Sequence, residues 1–177
     1  DLPDVRGTLH AAPILSTQAH GKLLGVDATA ALAMPGVVDV VLAKDIPGDP
    51  MLAAFAGDEP VFAMDTVQFV GQVVGVVVAK TVMQARRAAR KVQLHISPLS
   101  AILTVQQAMA AQSFVLPPVH VRRGDAQAAL QAAQHTLSGT LEVGGQEHFY
   151  LEGQIAYVLP QEQNQWVVHS STQHPGE

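Results

Sequence analysis

Apolar residues fall into short runs separated by glycine- and proline-rich breaks, and the spacing within each run predicts an element. Thr8 to Leu15 is apolar enough for a first strand, which the polar Ser16-Thr17-Gln18 ends. Ala28 to Met34 is alanine-rich and predicts a short helix, opened by Asp27 as N-cap and stopped by Pro35-Gly36. Val37 to Ala43 is β-branched on both sides of a single aspartate and predicts a buried strand. Pro47-Gly48-Asp49-Pro50 breaks it, and the stretch to Pro60 is expected to be an irregular surface loop. Val67 to Ala79 is strand-like but interrupted by Gly71 and Gly75, so a turn or bulge is expected near Gly71-Gln72, followed by a central strand.

Thr81 to Val92 carries the strongest helical period. Val82, Ala85, Ala89 and Val92 share one face, while Arg86, Arg87, Arg90 and Lys91 share the other. Gln93 to Ile96 returns as a strand closed by Pro98. The passage from Val73 to Ile96 is long enough for a crossover unit, which makes a mixed-sheet α/β architecture the expectation. In it, Val76 and Val78 are expected to be buried beneath the helix. After Pro98 the texture changes: Thr104 to Gln112 predicts a short helix, Leu116-Pro117-Pro118 a break, and Gly124-Asp125 the cap of a helix from Ala126 to Gln134. Thr136 to Glu142, Gln154 to Leu159 and Gln165 to Ser170 are expected strands, the last two joined by the polar loop 160–164. A domain boundary between Pro117 and Gly124 divides the chain into residues 1–120 and 121–177.

Composition narrows the classes. The 177 residues are 48% hydrophobic and only 14% charged, with a formal net charge of −5. So apolar a chain is not disordered. A negative balance lacks the positive potential that non-specific nucleic-acid binding requires. The scarcity of charge suggests surface that a partner covers. The absence of cysteine removes disulfides, iron–sulfur ligation and thiolate zinc sites, and it fits a reducing, cytoplasmic setting. The most apolar run, Val73 to Ala79, is strand-length and far short of a membrane span. The first residues have neither the basic head nor the apolar core of a signal peptide, and both chain ends look cut.

Most candidate chemistry has a plainer reading. The basic helix face fits solvent exposure better than phosphate binding. The eight histidines are scattered, with no paired-ligand spacing, so no protein-ligated metal is expected. Nucleotide cradles and nucleophile elbows are absent. Gly144-Gly145-Gln146-Glu147-His148-Phe149-Tyr150-Leu151-Glu152 differs from the rest. Two glycines can let a backbone pass close to a partner atom or take positive φ. Behind them stand an amide, a carboxylate, an imidazole and a phenol. In an extended chain Gln146, His148 and Tyr150 face one way and Glu147, Phe149 and Leu151 the other. A glutamine amide donates without titrating, which suits an oxyanion or metal-oxo neighbour. A glycine bulge before an ordinary strand is the alternative.

This nonapeptide resembles the segment that opens the molybdenum-cofactor region in large subunits of the xanthine dehydrogenase family. The resemblance runs in order along the chain through Leu2-Pro3, Asp27, Ala31 to Gly36, Lys44 to Gly48, Asp58 to Val61 and Phe69 to Gln72. It continues through Ala88 to Lys91, Pro98 to Leu103, Arg123-Gly124-Asp125 and Ser170 to Pro175. Glu152-Gly153-Gln154 and Gln173-His174-Pro175 are similar to bacterial members. The resemblance implies an α/β hammerhead domain over residues 1–120, then the first strands of a molybdopterin-binding domain. It implies hydroxylation of hypoxanthine and xanthine to urate, with oxygen from water and NAD as final acceptor. FAD and 2Fe–2S clusters would sit on a small partner subunit or domain. It also implies that Gln146 approaches the molybdenum oxo group without ligating the metal, that Gly144 and Gly145 permit the approach, and that Glu147, His148 and Tyr150 either support that contact from behind or lie at a domain seam. The family's Gly-Gly-Gly-Phe-Gly-Gly-Lys-Glu loop, its purine-positioning Glu and Arg, and its activating glutamate have no counterpart in these 177 residues. No catalytic residue is therefore expected here, and the chain alone should be inactive. The alternatives are a non-catalytic assembly module, and the same fold acting on an aldehyde or another N-heterocycle.

Overall fold

In the computed structural model the described residues are 2, 4–52, 59–149, 151 and 153–172. Contacts divide the chain into two compact units, Asp1–Ser113 and Phe114–Glu177.

The first unit carries two three-stranded antiparallel sheets. One has the order β1-β7-β3, from β1 (His10–Leu15), β7 (Val73–Ala79) and β3 (Val37–Leu42). The other has the order β6-β2-β8, from β6 (Thr66–Val67), β2 (Gly21–Asp27) and β8 (Gln93–Pro98). A short ladder joins β4 (Met51–Leu52) to β5 (Glu59–Pro60) inside the stretch expected to be irregular. Three helices accompany the sheets: α1 (Thr29–Leu32), α2 (Val82–Ala89) and α3 (Val105–Ala110). The strand–helix–strand passage exists, but its strands do not share a sheet. Central β7 is occupied on both edges by β1 and β3, so β8 pairs with β2 instead. Strand β2 itself has no sequence forecast, because Gly21 and Gly25 dilute its apolar run.

Thr81 caps α2, its side chain accepting from the Gln84 N–H at 3.2 Å. The helix buries only Ala85 and Ala88. Small side chains let it lie close to β1 and β7, and Ala85 clusters with Ala12 and Ala79. The main core joins Ile14, Val74 and Val77 to Val67, Ala63, Ala31 and Ala88, with Leu23, Leu94 and Ile96 packed around it. Burial along β7 corrects the expectation for Val76 and Val78. Val77 is fully buried, as are Gly75 and Ala79 on its face, whereas Val76 and Val78 on the opposite face are half-buried. The helix lies on the odd-numbered face because the alanines that receive it, Ala12 and Ala79, point that way. Gly75 is required there, since a Cβ would meet the Val41 carbonyl oxygen and the Leu42 side chain.

Asp27 acts one residue earlier than a formal cap: its Oδ1 accepts from the Thr29 N–H at 2.9 Å. Bonds from the Thr29 side chain and backbone, helped by the charge of His95, hold the Asp27 carboxyl below the usual carboxylate range. The turn expected at Gly71-Gln72 is present, with Gly71 at φ +90°.

The second unit holds α4 (Ala126–Ala132), whose first turn is capped by Asp125 Oδ1 accepting from the Ala128 N–H at 2.9 Å. A hairpin follows, β9 (Ala156–Pro160) antiparallel to β10 (Trp166–Ser170), its loop passing through Gln163 and Asn164 at positive φ. Residues 136–142, expected as a strand, form none; Leu137 and Leu141 are exposed, and no described strand offers them a ladder. No described residue of this unit is buried.

Candidate functional site

The glycine–glutamine segment lies in the second unit, immediately before the hairpin. Residues 144–149 are exposed and belong to no ladder. Gly144 and Gly145 have open space where a Cβ would stand, and neither takes positive φ. No described atom crowds a Cβ at either position and the backbone makes no left-handed turn there. Beside them the Gln146 side-chain amide makes no hydrogen bond among the described residues. The Glu147 carboxylate bends back onto the chain, its Oε1 accepting from the His148 N–H at 3.2 Å.

Phe149 stands at φ +48°, a left-handed conformation uncommon for a bulky side chain. A left-handed residue at this point interrupts the extended row that was expected. Tyr150 and Glu152 lie outside the described residues, as do Gln173, His174 and Pro175. Sequence reasoning passed over Ser171. Its hydroxyl donates to the Gly153 carbonyl at 2.9 Å and accepts from the Ile155 N–H at 3.4 Å, closing the hairpin mouth just after the segment. Across that hairpin the rings of Tyr157 and His169 stack with centroids 6.3 Å apart.

Among the described residues no three histidine or carboxylate side chains come together as a metal site. No helix among them is long and apolar enough to cross a membrane. The first unit contains an open cleft of about 640 Å³ between Leu23, Val26, Leu42, Ile46 and Val74, with Lys44 and Asp65 also lining it. It is mostly aliphatic and offers no convergent set of reacting groups.

Residues 1–100 match the family model "Aldehyde oxidase and xanthine dehydrogenase, a/b hammerhead domain". The chain belongs to the aldehyde oxidase and xanthine dehydrogenase family. Residues 105–177 match the model of the molybdopterin cofactor-binding domain. Among family members, "Xanthine dehydrogenase/oxidase" of Gallus gallus is 39% identical over 98% of this chain and 13% of its own length. "Aldehyde oxidase 2" of Cavia porcellus is 40% identical over 99% of this chain and 13% of its own. The aldehyde oxidoreductase of Desulfovibrio gigas superposes with a TM-score of 0.82 at 26% identity, covering 94% of this chain and 20% of that one. The chain thus spans about an eighth of the length of these curated relatives. The hammerhead fold and a molybdenum hydroxylase family are established by these likenesses.

Proposed function

We propose that the chain supplies the hammerhead domain and the first cofactor contact of a xanthine dehydrogenase, the two parts spanning residues 1–120 and 121–177. In that enzyme hypoxanthine and xanthine would be oxidised to urate, with electrons leaving through 2Fe–2S centres and FAD to NAD on a partner subunit or domain, in the cytoplasm. The observation that carries the reading is Gln146: a neutral amide with no hydrogen bond among the described residues, exposed beside two glycines whose own surroundings are open.

That donor fits a molybdenum cofactor. The bound cofactor supplies the redox chemistry that oxidises the substrate carbon. Gln146 would hold one N–H donor toward the oxo group and, having no ionisable proton, keep that polarity at every working pH. Gly144 and Gly145 would let the amide approach, because a side chain at either position would take up the clearance. Ser171 would fix the hairpin that follows, and so the point from which the segment projects.

The test is Gln146→Ala in the full-length enzyme, with bound molybdopterin measured separately from turnover. Cofactor content should be retained while xanthine-dependent kcat falls on the order of 100-fold, the usual effect of losing one such donor. Unchanged turnover at full cofactor content would remove Gln146 from the site. The 177-residue chain alone should reduce no NAD with xanthine. A second reading has its own support, since an aldehyde oxidase matches as well as a xanthine enzyme. Faster turnover of an aromatic aldehyde than of xanthine would select it.

A further inference from the structure

Residues 66–124 hold seven of the ten lysines and arginines and none of the fifteen aspartates and glutamates. Four of the seven, Arg86, Arg87, Arg90 and Lys91, lie on or directly after α2, and all four are exposed. At 100° per residue Arg86, Arg87 and the C-cap Arg90 share one arc with exposed Met83, opposite the buried Ala85 and Ala88, and Lys91 follows in the next turn. The helix dipole favours cations near a C-terminus, which accounts for part of this placement. It does not account for the crowding. Arg86 with the C-cap Arg90 is a like-charge pair at i,i+4, a spacing that destabilises a helix. A solvated helix face ordinarily intersperses carboxylates. Here none occurs on the helix, and among the described residues none of the four cations forms an ion pair.

We propose that this face of α2 is a docking surface for a carboxylate-rich surface of another polypeptide in the assembled enzyme. Three of the four cations are arginines, whose planar forks take carboxylates two bonds at a time. A nucleic acid fits poorly: outside residues 66–124 the chain has fifteen acids against three cations, and a long phosphate backbone would run into that negative surface. A lipid surface fits poorly as well, because the apolar arc of α2 is already spent in the core. The proposal is independent of the chemistry at Gln146, and its test reads no turnover.

Lys91 makes the test direct. A water-soluble carbodiimide joins an amine to a carboxylate only where the two touch, with loss of water and no spacer. Applied to the assembled full-length enzyme and read by peptide mass spectrometry, it should link Lys91 to an aspartate or glutamate of a different polypeptide. Lys22 and Lys44, exposed on other elements, should remain unlinked. The combined variant Arg86→Gln, Arg87→Gln, Arg90→Gln should lower the yield at least tenfold, and replacement of the same arginines by lysine should restore it. If the glutamine variant does not fold, acetylation of the wild-type assembly decides: Lys91 should react at least tenfold more slowly than Lys44. Equal acetylation of the two lysines would overturn the proposal. A link to another part of its own polypeptide, to a second copy of residues 1–177, or to nucleic acid that co-purifies would overturn it too.

Discussion

The backbone N–H of Ser16 donates to the carbonyl of Gln72 at 2.8 Å, tying the end of β1 to the turn that opens β7. In return the Ser16 carbonyl accepts from Gly71 at 2.8 Å. Ser16 and Gln72 are also buried polar residues, and the Gln72 side-chain Oε1 accepts from the Gln68 N–H at 2.7 Å. Gln72→Leu should therefore cost about 1–3 kcal/mol, because it leaves a part-buried backbone donor without an acceptor. Ser16→Ala removes two local bonds, both with the backbone of exposed Gln18, where water can replace them, and should cost less. Chemical denaturation of both variants checks the order.

The correction along β7 has a quantitative consequence. Val77→Asp places an unpaired charge at a fully buried position and should cost more than about 3 kcal/mol. Val76→Thr, on the half-buried face, should cost about 1 kcal/mol. Equal unfolding midpoints for the two variants would show that α2 covers the other face of the strand.

Asp27 predicts an acid-side dependence. Its folded-state pKa is lowered, so its stabilisation is complete above the unfolded value and is lost as pH falls through the folded one. Asp27→Asn should lower the melting temperature at neutral pH and converge with wild type in strong acid, where both side chains are neutral. A gap that persists unchanged into strong acid would mean that the charge contributes nothing.

The two units should behave differently when separated. Residues 1–113 contain every buried position among the described residues and should unfold cooperatively when produced alone. Residues 114–177 bury no described side chain and rest on one two-stranded hairpin, which is marginal by itself. They should bind a hydrophobic dye and show no sharp transition, as near- and far-ultraviolet circular dichroism during heating can establish.

Local signals were legible wherever one residue dictates geometry. Thr81, Asp125 and Gly71 mark a helix start, a second helix start and a turn, and the structure places each feature there. Pairing was not legible. A run such as Val73 to Ala79 shows that a strand exists, but its partners lie far away in sequence, which is why a crossover was expected where two separate sheets occur. The phase of its burial was missed because every residue in the run is small or β-branched, so polarity does not distinguish the faces. Gly144, Gly145 and Gln146 stood out from the local row of residue types; the left-handed Phe149 and the bridging Ser171 did not, since neither residue type announces its conformation.

The order in which strands find partners bears on how the first unit is made. Strands β1 and β3 both wait for β7, and β2 waits for β6 and β8. Everything the first three strands need arrives with residues 66–98, in one stretch built around α2. During synthesis the leading segments must leave the ribosome with their edges unmatched. They can close only after that stretch has emerged, across loops of about 30 to 65 residues, which is slow relative to local hairpins. Residues 66–98 thus act as the clasp of the domain, and a defect there would show first as delayed folding of everything before it.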